Sequence, residues 1–326
     1  MLRTRGVDER VQVRTFHAWC QDMVRAYQLD RPREYEHSNA YYEALAHTVQ
    51  RALDTGLVPK GQYTALMIDE AHDFQDAWLQ MASKLVTPVT HSLLVLYDDA
   101  QSIYQQKRRK FNFASVGIEA RGRTSVLRLN YRNTAEVLAL AMQCAQKLLT
   151  DKAGTEEEMQ TVRPATAGRR GPLPVLLEAT NARQEAALIA QRIAAACAEG
   201  RSPSDIAVLC RIKKQMDLIE QALKQHGLPV QSMNHPQFHG FDWARPSVKL
   251  LTLHSSKGLE FALVFVAGLE VMPMAQEAME DEVRLLYVGM TRATQQLVLS
   301  CAGTSNMVQR VKNSLEVVAQ QFGEAG

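Results

Sequence analysis

The chain has 326 residues, 46% of them apolar and 22% charged, with a formal net charge of +2. Such a length predicts roughly two domains, each able to bury its own core, and the balance is that of an ordinary soluble globular protein. No apolar run approaches a membrane span, no signal-peptide core follows the Arg-rich N-terminus, and the net charge gives no global signature for nucleic acid; together these predict a cytosolic protein outside any membrane. The five cysteines (Cys20, Cys144, Cys197, Cys210 and Cys301) lack paired spacing and read as reduced, mostly buried side chains.

In chain order, hydrophobic periodicity predicts helices at 15–28 and 36–54, a strand at 64–68, a helix at 74–85, strands at 92–97 and 125–129, and a helix at 133–149. The segment from Asp151 to Pro174 is rich in Gly, Pro, Glu and Arg and reads as a surface loop. Beyond it come a strand at 174–178, a helix at 181–199, a strand at 205–210, a helix at 213–226, strands at 248–253 and 262–268, a helix at 281–294, a strand at 296–300 and a helix at 307–321. Alternation of this kind predicts an α/β fold of parallel sheets covered by helices.

Two apolar runs end in acids: Leu66-Met67-Ile68-Asp69-Glu70 and, about thirty residues on, Leu93-Leu94-Val95-Leu96-Tyr97-Asp98-Asp99. Both read as buried strands that deliver carboxylates to a strand's C-terminal end, where open α/β sheets place their ligands. In a nucleotide hydrolase the first of such a pair holds magnesium and the second orients or deprotonates the attacking water. Two solvated acids at a helix start would give the same local phrase.

Six phrases recur in one order. Thr15-Phe16-His17-Ala18-Trp19, Ile68-Asp69-Glu70-Ala71-His72-Asp73-Phe74 and Asp98-Asp99-Ala100-Gln101-Ser102-Ile103-Tyr104 come first. Leu129-Asn130-Tyr131-Arg132-Asn133, the run from Thr252 to Phe261, and Leu286-Tyr287-Val288-Gly289-Met290-Thr291-Arg292-Ala293 follow. In series they resemble the motifs of the UvrD, Rep and PcrA branch of superfamily 1 DNA helicases. His72 also suits a DEAH-box helicase, but the phrases around Gln101 and Lys257 favour the UvrD-like group.

The resemblance implies two RecA-like domains that bind ATP and Mg2+ and walk on single-stranded DNA. It makes Asp69 the magnesium ligand, Glu70 the catalytic base and Gln101 the γ-phosphate sensor, with Arg132 and Arg292 as arginine fingers supplied in cis. A planar, permanently charged guanidinium suits the charge that spreads over the γ-phosphoryl oxygens. Tyr131 would stack on adenine and Glu260 would accept a hydrogen bond from the ribose. Phe16, His17, Tyr104, Thr252 and His254 are the DNA-facing candidates, with Lys257 meeting phosphates; stacking and phosphate contacts both tolerate any base sequence. Core packing competes for Phe16 and Tyr104, an ordinary ion pair for either arginine, and a solvated loop for the basic run Lys107 to Lys110.

Three departures qualify the resemblance. No Gly-x-x-x-x-Gly-Lys-Ser/Thr phrase occurs, so no loop of backbone N–H groups and no lysine serve the β- and γ-phosphates. The family places this Walker A loop upstream of the Thr-Phe-His phrase, so Met1 reads as an internal or shortened start. Little room exists for a first accessory domain, and the chain passes from Val230 almost directly to Val248, where large relatives insert a second one. Gln106 stands where the family carries a base-stacking tryptophan.

The expectation is therefore a partial first motor domain at 1–120 and a fairly complete second at 121–326, without a large second accessory domain. The function implied is a 3′-to-5′ helicase or translocase core, inactive alone unless an upstream segment or protein partner supplies the Walker A loop. A non-hydrolysing DNA-binding or protein-interaction module and a truncated gene product are the alternatives.

Overall fold

The computed structural model describes residues 11–33, 39–97, 112–146 and 164–323. They form two compact units, one from the residues up to 97 together with 112–124, the other from 125–146 and 164–323.

The first unit contains α1 (Phe16–Ala26), α2 (Asn39–Asp54), β1 (Ala65–Ile68), α3 (Asp76–Leu85) and β2 (Ser92–Val95). Thr15 starts α1 by accepting the Ala18 N–H on its hydroxyl at 3.3 Å, one of the donors a helix start leaves unpaired. Cys20 and Val24 of α1 pack with Leu45, Val49 and Leu53 of α2 and with Met81 and Leu85 of α3. Strands β1 and β2 pair in parallel, Ala65 opposite Ser92 and Ile68 opposite Val95. Their alternation sends Leu66, Ile68, Leu93 and Val95 onto Leu79, Ala82 and Val116. On the other face Met67 is 71% and Leu94 46% exposed, although parallel strands ordinarily have both faces covered.

The second unit begins with β3 (Leu129–Asn130), α4 (Ala135–Cys144), β4 (Ala165–Thr166), β5 (Val175–Glu178), α5 (Ala182–Ala198), β6 (Ile206–Cys210) and α6 (Lys214–Gln225). It continues with β7 (Val230–Ser232), β8 (Val248–Thr252), β9 (Phe261–Ala267), α7 (Met279–Met290), β10 (Ala293–Cys301) and α8 (Asn306–Gly323). Six strands make one parallel sheet in the order β5-β10-β9-β6-β8-β7, an α/β, RecA-like arrangement. Alternate residues face opposite layers. Ile206 and Val208 of β6 meet Ile189 and Ile193 of α5 and Ile219 of α6, while Ala207 and Leu209 meet the layer of Leu140 (α4), Leu286 (α7) and Val311 (α8). All five residues of β6 are fully buried, which is why that segment is apolar throughout rather than alternating. Residues 233–247 join β7 to β8 directly, with no inserted domain.

Some expected boundaries move. The strand expected at 125–129 shrinks to Leu129–Asn130: Leu127 is 89% exposed, and pairing with the returning strand begins only at the Arg128 carbonyl. Its partner β4 lies inside the stretch expected to be wholly loop. The short edge strand β7 was not expected. The helix expected over 281–294 stops at Met290: the Thr291 hydroxyl donates back to the carbonyls of Tyr287 and Val288, and Ala293 already pairs with Phe261 in the sheet. All five cysteines are free thiols, as their spacing predicts, and burial pushes Cys20 and Cys144 up, to about 12 and about 11. Among the described residues no helix is long and apolar enough to cross a membrane.

Candidate nucleotide and DNA sites

In the second unit the candidate residues separate onto opposite ends of the parallel sheet. Glu260 immediately precedes β9 and Arg292 immediately precedes β10, and the Phe261 N–H donates to the Arg292 carbonyl at 3.0 Å. The turn from β3 into α4 brings Arg132 to the same place, its Nε 2.9 Å from Glu260 Oε2. Tyr131, beside it, is 69% exposed. These four residues occupy the N-terminal ends of β9 and β10 or are tied to them.

That turn is built from side chains that read as ordinary polar residues in the sequence. Asn130 Oδ1 accepts the N–H groups of both Arg132 and Asn133 at 2.9 Å, and Asn130 Nδ2 donates to Asn133 Oδ1 at 2.8 Å. Asn133, 1% exposed, donates its own amide to the carbonyls of Thr291 at 2.9 Å and Ala293 at 2.6 Å. Arg292 itself is 1% exposed, its Nε donating to the Val288 carbonyl at 3.0 Å and Nη1 to the Leu259 carbonyl at 3.3 Å. Its guanidinium therefore packs at the C-terminus of α7, where the helix dipole favours a cation.

The C-terminal ends of β6 and β8 gather the DNA-facing candidates. Thr252 closes β8, and its hydroxyl accepts the Ser255 N–H at 3.2 Å and lies 2.9 Å from the Ser255 hydroxyl, which shapes the turn carrying His254. Arg211, just after β6, makes a bidentate pair with the buried Glu282 of α7, Nη2 2.7 Å from Oε1 and Nε 3.1 Å from Oε2. Burial first, and Arg211 next, hold His254 below the usual histidine range, so the ring is neutral at physiological pH. Lys257, half-buried, leads through Gly258 and Leu259 to Glu260. Residues 253–259 thus run from the C-terminal end of β8 back to the end of the sheet that holds Glu260.

In the first unit Asp69 and Glu70 follow β1 directly. Glu70 adopts left-handed backbone angles (φ 53°, ψ 39°), a conformation that costs a residue with a Cβ about 1 kcal/mol or more, and its N–H donates to Asp69 Oδ1 at 3.0 Å. His72, 1% exposed, places Nε2 at 3.1 Å from Glu70 Oε2 and so orients that carboxylate. Asp69 is exposed. A single carboxylate oxygen donor fits Mg2+, which takes one or two carboxylates and completes its shell with water and phosphate; no cluster of three or more His, Cys, Asp or Glu side chains able to hold a metal occurs among the described residues.

Phe16 stacks on Trp78 at 4.5 Å and lies edge-on to Phe74 at 5.4 Å, inside an aromatic cluster. His17 meets Tyr42 at 4.7 Å, and burial lowers its pKa. Gln101, Tyr104, Gln106 and the run Lys107 to Lys110 lie outside the described residues, as does most of the segment after Asp151.

The sequence matches the profile of the UvrD-like helicase C-terminal domain over residues 125–242 and 239–304. It is 43% identical over 79 residues to the ATP-dependent DNA helicase PcrA of Bacillus subtilis (strain 168), covering 22% of this chain and 11% of that protein. Against DNA helicase II of Escherichia coli (strain K12) the identity is 44% over 73 residues, 20% of this chain and 10% of that protein. A longer match, 26% over 219 residues, joins it to the ATP-dependent DNA helicase UvrD2 of Mycobacterium bovis, covering 67% of this chain and 30% of that one. The chain thus spans about a tenth to a third of the curated relatives it matches. Among solved structures, the C-terminal domain of a possible DNA helicase from Lactobacillus plantarum WCFS1 aligns with 57% of this chain and 96% of its own, at 21% identity and a TM-score of 0.41. The profile match runs through the β3–α4 turn, the Thr252 to Phe261 segment and Arg292, and by it the chain belongs to the UvrD-like helicases.

Proposed function

We propose that this chain is the core of a 3′-to-5′ single-stranded-DNA translocase driven by ATP, with a partial first motor domain at 1–120 and a second at 121–326. One observation carries the reading: at one end of the six-stranded sheet Arg132, from the β3–α4 turn, pairs with Glu260 beside the buried Arg292, and at the other end lie Thr252 and His254, the two ends joined by residues 253–259, which carry Lys257. A motor needs a nucleotide-responsive end and a DNA-gripping end on one rigid body.

In this reading Tyr131 stacks on adenine and Glu260 accepts from the ribose. Nucleotide exchanges the Arg132–Glu260 ion pair for contacts of its own; a pair this exposed contributes at most about 1 kcal/mol, so the exchange costs little. Arg132 and Arg292 then meet developing charge on the transferred phosphoryl group, with Gln101 as its sensor. Glu70, held by His72, orients the attacking water, and Asp69 holds Mg2+, which when bound neutralises phosphate charge. At the other end Thr252, His254 and Lys257 receive the DNA strand.

The sequence contains no Walker A phrase. Because positioning and charge neutralisation supply nearly all catalysis in phosphoryl transfer, this chain alone turns over ATP negligibly. The uncovered face of β1 and β2, with Met67 and Leu94 exposed, suits completion by a further polypeptide segment that brings the phosphate loop. A steady-state ATPase assay on the purified chain, with and without single-stranded DNA, is the test. Background turnover is expected; DNA-stimulated turnover that Glu70→Gln abolishes would overturn the inactivity.

A further inference from the structure

The turn displaying Tyr131 and Arg132 has little core beneath it, since both side chains are exposed. Its backbone groups are nonetheless accounted for almost completely. Asn130 takes the N–H groups of Arg132 and Asn133. The carbonyls on the near side go to the returning strand: Arg128 accepts the Ala165 N–H at 2.7 Å and Asn130 the Ala167 N–H at 3.1 Å. There the β3–β4 ladder ends. The next two carbonyls, of Tyr131 and Arg132, both accept from one nitrogen, Arg169 Nη1, at 3.2 and 2.8 Å.

The residue is anchored on both sides. The Arg169 carbonyl accepts the Ala135 N–H at 2.7 Å, one of the unpaired donors at the start of α4. Arg170 Nε and the Gly171 N–H bind the two oxygens of Glu136, which is 2% exposed, at 2.5 and 2.9 Å. A Cβ on Gly171 would lie 2.7 Å from Thr134 Cγ2 and 2.8 Å from the Gln295 carbonyl, so the chain passes here only as glycine. Phe322 of α8 lies under the Arg170 guanidinium at 5.1 Å.

We propose that Arg169 is a positioning residue for nucleotide: by bonding both carbonyls it fixes the peptide planes that aim Tyr131 and Arg132. The proposal rests on the reading of that turn as nucleotide-facing. A pre-ordered turn spares the ligand the cost of ordering it, so the contribution of Arg169 is to affinity rather than to fold. It touches no ligand itself. Its charge is used on the carbonyls of the turn itself, whereas Arg132 pairs with the Glu260 carboxylate.

The experiment titrates ADP, to millimolar concentration, into the full chain and follows it by NMR, for the wild type and for Arg169→Met, Arg169→Lys and Tyr131→Ala. Thermal midpoint and single-stranded-DNA affinity are measured on the same samples. Arg169→Met is expected to weaken ADP binding roughly three- to tenfold, the worth of one or two hydrogen bonds, with midpoint and DNA affinity unchanged. Arg169→Lys is expected to recover part of the loss, because an ammonium can still reach one carbonyl. Wild-type ADP affinity in Arg169→Met beside a weakened Tyr131→Ala would overturn the positioning role. So would a parallel fall of midpoint, DNA affinity and ADP affinity in both Arg169 variants, the mark of a purely structural residue. If the wild type shows no ADP response, or Tyr131→Ala binds like wild type, the nucleotide reading of the turn fails and the proposal with it.

Discussion

Asn133 holds Arg292 by its neighbours: the asparagine amide donates to the carbonyls of Thr291 and Ala293, the residues on either side of the arginine. The turn that carries Arg132 and the helix end that carries Arg292 are therefore one polar assembly, joined by a buried side chain distant in sequence. Asn133→Ala leaves two carbonyls without that donor and is expected to destabilise the protein by on the order of 2 kcal/mol. Asn133→Asp is nearly isosteric but opposes a carboxylate to the same two oxygens, so it should be worse. Urea unfolding followed by circular dichroism checks both, and an aspartate variant more stable than the alanine variant would contradict the assignment.

Glu185 of α5 gives a pH-dependent test of the second core. It is 5% exposed and accepts the Ser300 hydroxyl at 2.6 Å and the Gly268 N–H at 2.9 Å. Burial pushes its carboxyl above the ordinary 4.5, outweighing those two bonds, and Glu270 acts in the same direction. A raised folded-state pKa means a contribution fully present below the unfolded value and lost as pH rises through the folded one. Glu185→Gln keeps an acceptor and removes the buried charge, so its thermal midpoint relative to wild type should climb between pH 4.5 and neutrality. A relative midpoint that falls over that range would show that the carboxylate form is the favoured one.

The two arginines are separable in a form of the protein that carries a phosphate loop. Arg132 is exposed enough for Arg132→Ala to fold normally, whereas Arg292 also caps α7 from within, so Arg292→Lys is the gentler change there. Each should lower turnover about a hundredfold or more while nucleotide affinity changes much less, because the planar guanidinium acts where transition-state charge develops. Turnover and nucleotide binding measured in parallel decide it; unchanged turnover in both variants would reject the assignment.

Much of this architecture was legible as hydrophobic pattern. Ile206–Cys210 and Phe261–Ala267 are apolar because they lie centrally in a parallel sheet, and the acids after Ile68 follow from where a strand ends. Less legible were elements held by polar bonds rather than burial. Strand β4 is two exposed residues in a Gly- and Arg-rich stretch, and it exists through backbone pairing with β3. The strand expected at 125–129 misled for the opposite reason, since its apolar residues Val126 and Leu127 stay exposed. Periodicity also carries no direction: that Glu260 and Arg292 stand at the N-terminal ends of their strands and Thr252 at a C-terminal end emerges only once the sheet order is known. The roles of Asn130 and Asn133 were hidden because an Asn-x-x-Asn spacing is common in turns.

The proposed grip of one end of the second unit's sheet on single-stranded DNA, through phosphate and stacking contacts, is measured by fluorescence anisotropy. Labelled oligonucleotides of differing sequence are titrated with the full chain across a salt series. Binding is expected at about micromolar or weaker, on the order of non-specific affinities, equal across sequences, falling steeply with salt, and weakened alike on every sequence by His254→Ala or Lys257→Ala. Tight binding that ignores salt, or a strong preference for duplex over single strands, would contradict it.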